Sequence, residues 1–88
     1  MTGADRVAYQ VGRALRRVRE RRRCRQYQLA AAAGITQPQL AAYEHGREQP
    51  SVATVTALLL ALDCSADEFA RHLGPWGSIG PSVGITAG

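Results

Sequence analysis

Between the alanine-rich run Gln26 to Ala33 and the hydroxyl of Thr36, the chain leaves only Gly34 and Ile35. Alanine is the strongest helix former, so the run predicts a short helix. Gly34 suits a C-terminal cap that needs positive φ. Thr36 can open a further helix that points Leu40 and Tyr43 inward and ends at Gly46. Two short helices joined by so tight a turn must cross at a steep angle.

The flanking segments have helical period as well. Val7, Val11, Leu15 and Val18 recur at spacings of three and four between about Asp5 and Arg22, which predicts an amphipathic first helix. After the polar loop Arg47 to Pro50, Ser51 caps a fourth helix running to about Leu62. Ser65, with Glu68 three residues on, predicts a capping box for a fifth. The expected fold class is all-α, a compact five-helix domain over residues 1–73. The segment 74–88, GPWGSIGPSVGITAG, carries five glycines and two prolines and is expected as a loop-rich tail.

Eighty-eight residues bound the chain to one domain with a modest core. Cys24 and Cys64 form no C-x-x-C pair, so neither a zinc site nor a disulfide framework is suggested and two buried thiols are expected. No apolar run reaches the ~18–20 residues that span a bilayer, and the N-terminus lacks a signal-peptide core, so a soluble, cytoplasmic protein is expected. His45 and His72 lie in separate segments and no serine sits in a nucleophile motif, so no enzyme, cofactor or metal is implied.

The net charge is +4, and all eleven basic residues are arginine. Arg13, Arg16, Arg17, Arg19, Arg21, Arg22, Arg23 and Arg25 crowd into thirteen residues. So focused a basic surface suits a polyanion; the alternative is a solvated helix face.

Several separated motifs now agree in order and spacing: Q-x-x-L-A-x-x-A-G-I-T from Gln26 to Thr36, Y-E-x-G from Tyr43, P-S from Pro50, V-G-R-A-L-R-R-V-R in the first helix and S-A-D-E-F at the fifth. Together they resemble the Cro/C1-type (XRE-like) helix-turn-helix family of phage-repressor-like transcriptional regulators, over roughly residues 11 to 69. The resemblance implies a λ-repressor-like fold in which the second helix of the motif enters the major groove.

Carried over by position, the resemblance makes Gln37, Pro38, Gln39 and Ala42 the base-reading residues. Gln37 can donate and accept at once, matching N6 and N7 of adenine, while Pro38 and Ala42 offer carbon to a thymine methyl. Phosphate contacts are expected from Gln26, Arg25, Arg22, Tyr43, His45 and Arg47. Arg19 and Glu44 fall where family members have a semi-buried ion pair. Arg25 stands where a serine or threonine cap is usual, and His45 where asparagine is frequent. Ala33 replaces a large aliphatic residue.

Ala57 and Leu60 are apolar where the fourth helix is usually charged, and with Ala53 they make a second apolar stripe that needs cover. Dimer or tail packing is therefore expected to involve Ala57, Leu60, Phe69 and Trp76. The function implied is a sequence-specific, double-stranded-DNA-binding transcriptional regulator, expected as a repressor and a homodimer on a palindromic operator. The alternatives are an antitoxin-like protein-interaction module with a toxin or regulator as partner, and non-specific nucleic-acid binding through the arginines. Pro38 fits the first turn of its helix but biases Gln37 away from α geometry, leaving Thr36 and Gln37 as two candidates for the cap.

Overall fold

A computed structural model of the chain describes residues 2–73. Trp76 and the expected tail lie outside the described residues. Five helices follow in order: α1 Gly3–Arg21, α2 Gln26–Ala33, α3 Gln37–Glu44, α4 Val52–Ala61 and α5 Ala66–Arg71. No strand occurs among the described residues, and none of their helices is long and apolar enough to cross a membrane.

Four of the five helices begin where a side chain supplies the acceptor their first turn lacks. α1 starts two residues before the expected Asp5, because Thr2 Oγ1 accepts from the Asp5 amide while Asp5 returns an acceptor to the Thr2 amide. This reciprocal box satisfies two otherwise orphaned donors. Thr36 settles the choice of cap for α3: its Oγ1 accepts from the Gln39 amide at 3.2 Å and Gln39 Oε1 accepts from the Thr36 amide at 3.0 Å. Those two bonds outweigh the pre-proline bias, so Gln37 is the first helical residue and Pro38 sits harmlessly in the first turn. At α2, Arg25 has no acceptor to offer; Gln28 Oε1 takes the Arg25 amide at 2.9 Å, so one half of a box remains.

The turn between α2 and α3 closes as its residues require. Gly34 has φ +75, a left-handed conformation that glycine adopts without a Cβ penalty. The Ile35 amide returns to Ala30 O at 3.0 Å, which lets Ile35 pack against the core.

All five helices contribute to one core. Leu15 and Val18 of α1, Leu29 of α2, Leu40 of α3 and Leu58 of α4 are fully buried. Val11, Ala33, Tyr43 and Leu59 pack on the cluster while partly exposed. Cys64 is buried and Cys24 half-buried, both as free thiols; burial pushes the Cys64 thiol up from its ordinary pKa. Phe69, expected to pack on a dimer partner or tail, is only 8% exposed and belongs to this core, because α5 turns its aromatic face inward.

The backbones of α1 and the end of α3 approach closely. A Cβ built on Gly12 would meet the Tyr43 carbonyl oxygen at 2.1 Å and that of Glu44 at 2.9 Å. Only glycine fits there. The contact sets how far the end of α3 can stand from α1, and so where the whole of α3 lies.

Candidate nucleic-acid interface

α3 owes its orientation to a chain of polar side chains that starts in the interior. The Glu44 carboxylate, 1% exposed, accepts from Arg19 Nε at 2.6 Å and Arg19 Nη2 at 3.0 Å. Arg19 also donates Nη1 to Cys24 O at 2.9 Å, so its planar fork ties α1, the α1–α2 turn and α3 together. The hydrogen bonds to Glu44 hold the Arg19 guanidinium above its ordinary pKa. A bidentate pair of this kind fixes geometry as well as charge.

The chain then runs outward. Glu44 Oε1 accepts a third hydrogen bond, from Gln26 Nε2 at 3.0 Å. Because Gln26 commits one of its two amide hydrogens to Glu44, its Oε1 faces the other way and accepts from Gln37 Nε2 at 3.4 Å, a long and weak bond. Gln37 keeps its Oε1 and its second amide hydrogen. The exposed head of α3 thus carries one acceptor and one donor side by side, steadied by a buried carboxylate two residues removed in the network.

The neighbouring positions divide. Pro38 is exposed and Ala42, one turn further along α3, is half-buried; both have only carbon to offer an outside partner. Gln39, expected as a base reader, gives its Oε1 to the Thr36 cap and retains only its amide hydrogens for an outside partner. Gln26 is the first residue of α2, where backbone amides without intrahelical partners gather.

A helix-turn-helix family profile (HTH_3) matches residues 15–69. The chain belongs to this XRE-type helix-turn-helix family. Among solved structures, it is similar to the clp gene regulator ClgR from Corynebacterium glutamicum, with a TM-score of 0.76 and 21% identity over 92% of this chain and 86% of that one. No significant match is found among curated proteins.

Within this helix-turn-helix domain the arginines have separate fates. Arg22, expected at a phosphate, is engaged elsewhere: Nη1 and Nη2 donate to the two Glu68 oxygens at 2.6 and 2.8 Å, Nε to Leu62 O and Nη2 to Asp63 O at 3.0 Å each. Glu68 was expected to complete the Ser65 capping box. Ser65 Oγ does accept from the Glu68 amide, but the carboxylate turns to Arg22, since a guanidinium fork is a stronger partner than one amide. Arg25 and Arg47 are exposed and, among the described residues, make no ion pair.

His45 follows the last residue of α3. Its Nδ1 bonds to Ala41 O at 2.8 Å, and since a carbonyl only accepts, Nδ1 carries the proton. Nε2 is left for an outside partner and donates to a phosphate only when the ring is an imidazolium. Sequence reasoning missed Gly12 and the Arg22–Glu68 pair; a T-x-x-D signal at Thr2 was legible and would have found the true start of α1.

Proposed function

We propose that the chain is a sequence-specific DNA-binding transcriptional regulator that reads its site with Gln37. The observation that carries this reading is the Arg19–Glu44–Gln26–Gln37 chain of hydrogen bonds, which leaves a preset donor–acceptor pair at the exposed N-terminal end of α3. That pair matches N7 and N6 of adenine in the major groove. Pro38 and Ala42 flank it with carbon suited to thymine methyl groups, so the preferred half-site has A·T character.

Gln26, Arg25, Tyr43, His45 and Arg47 are the phosphate contacts of this reading; Arg22 is withdrawn from the set. Membership in the helix-turn-helix family supports it, and the similar ClgR structure is of a gene regulator. The protein acts as a homodimer, one α3 in each of two half-sites about one helical turn, ~34 Å, apart. The face of α4 with Val52 and Leu60, 84% and 77% exposed, together with Ala57 and the segment containing Trp76, is the proposed cover between subunits. Occupying an operator in this way gives repression.

Selection of bound duplexes from a random pool tests the reading. An enriched two-fold related site with half-sites one turn apart is expected, and binding to it must retain its preference as salt rises. Gln37→Ala is expected to weaken that site by ~1–3 kcal/mol and relax one base position. A pool that shows no enrichment overturns the proposal.

A further inference from the structure

α1 carries a second basic feature that the motif does not use. Tyr9, Arg13, Arg16, Arg17 and Glu20 lie three and four residues apart, on one helical face. That face forms one wall of an open groove of about 520 Å³, and Glu44 and His45 at the end of α3 form the other. The Gly12 contact with the Tyr43 and Glu44 carbonyls brings the two walls together.

The charges in the groove are unevenly committed. Glu44 is matched by Arg19, and Glu20 by Arg16 at 3.2 Å. Arg13 lies over the Tyr9 ring, 5.6 Å from its centroid, and donates to the Tyr9 hydroxyl at 3.3 Å, which holds its guanidinium in place without neutralising it. Among the described residues neither Arg13 nor Arg17 has an acidic partner. The groove therefore has two uncompensated guanidinium groups, and the Nε2 of His45 at its far wall.

We propose that this groove holds one backbone phosphate of the bound duplex, outside the stretch read by α3, with Arg13 and Arg17 as its charged ligands. The inference rests on the DNA-binding reading above. Its geometric basis is continuity: α3 is about 12 Å long, close to the ~12 Å width of the major groove, so a helix whose head meets base edges brings its tail to the phosphate rim. The tail of α3 is the groove wall. A guanidinium fork matches a phosphate bidentately, and Arg13, held by Tyr9, loses less freedom on binding.

The test uses the full chain and the duplex enriched from the random pool. Each phosphate contact adds about 0.9 to the slope of log affinity against log salt. The double variant Arg13→Ala, Arg17→Ala is expected to lose about one unit of slope, so that its affinity falls ~3- to 4-fold less than wild type's between 50 and 200 mM salt. Its preference for the enriched duplex over a scrambled one stays that of wild type. Replacing single phosphates of the duplex by neutral methylphosphonates is expected to find one position that weakens wild type and leaves the double variant unaffected. Arg71→Ala removes the same kind of charge from α5 and is expected to keep the full slope.

An unchanged slope in a folded double variant, or an equal loss in Arg71→Ala, overturns the groove assignment while leaving the reading by Gln37 intact. Failure to enrich any duplex sinks the DNA-binding reading itself, a separate result. Circular dichroism of the double variant must match wild type, and Arg17→Gln, which removes the charge but keeps a polar side chain and leaves Arg13 in place, is expected to lose part of that slope.

Discussion

Arg22 and Glu68, 46 residues apart, meet through two parallel hydrogen bonds of 2.6 and 2.8 Å. The same guanidinium reaches the Leu62 and Asp63 carbonyls at the end of α4, where unsatisfied C=O groups carry partial negative charge. One side chain at the end of α1 thus closes α4 and anchors the start of α5. The pair has consequences for stability rather than for recognition.

Its pH dependence follows from the direction of the shift. Hydrogen bonds from Arg22 pull the Glu68 carboxyl from 4.5 down to about 2. A carboxyl whose folded pKa is depressed stabilises the fold fully above its unfolded value and loses that contribution as pH falls through the folded one. Thermal midpoints are expected to drop between about pH 4.5 and 2, with a shallower drop for Glu68→Gln; superimposable wild-type and variant profiles would contradict the pairing.

Arg22→Lys keeps the charge but not the fork, and a point ammonium cannot serve two carboxylate oxygens and two carbonyls in one plane. The urea midpoint is expected to fall, with affinity for the enriched duplex unchanged once corrected for the folded fraction. A loss of affinity with unchanged stability would return Arg22 to the phosphate contacts.

Glu44 links the core to the reading side chain, so two substitutions there separate fold from function. Glu44→Ala strands the Arg19 guanidinium and is expected to cost about 3–5 kcal/mol, a large share of a small domain's stability. Gln26→Ala removes two hydrogen bonds, one of them long and weak, and is expected to cost only ~0.5–1.5 kcal/mol, yet to relax preference at the base met by Gln37, because nothing then steadies its amide. Sequence selection on both proteins checks this; a preference retained in Gln26→Ala would mean that Gln37 aims itself.

Gly12→Ala drives a methyl into backbone oxygens that cannot rotate away. α3 must shift from α1, at an expected cost of ~1–3 kcal/mol or more. Denaturant titration gives the cost, and the displaced α3 should bind the enriched duplex more weakly than its folded fraction predicts. Gly34→Ala, strained only by its positive φ, is expected to cost about 1 kcal/mol.

The five helices were written locally. Thr36, Ser51 and Ser65 cap them, Gly34 turns one into the next, and the period of Leu15 and Val18 marks a buried face, all within reach of a few neighbouring residues. What the order of residues could not settle was which polar groups are left over. Arg13, Arg17, Arg19 and Arg22 have similar local surroundings, yet only folding brings Glu44 to the third and Glu68 to the fourth, across 25 and 46 residues. Glu68 has the spacing of a capping residue, and Phe69 that of a residue left for a dimer partner or the tail, until α5 docks on the core. Side-chain hydrogen bonds and backbone approaches such as that at Gly12 are satisfied by whatever the chain brings nearby, so caps and periodicity determine the helices while tertiary packing decides which side chains remain free to meet DNA.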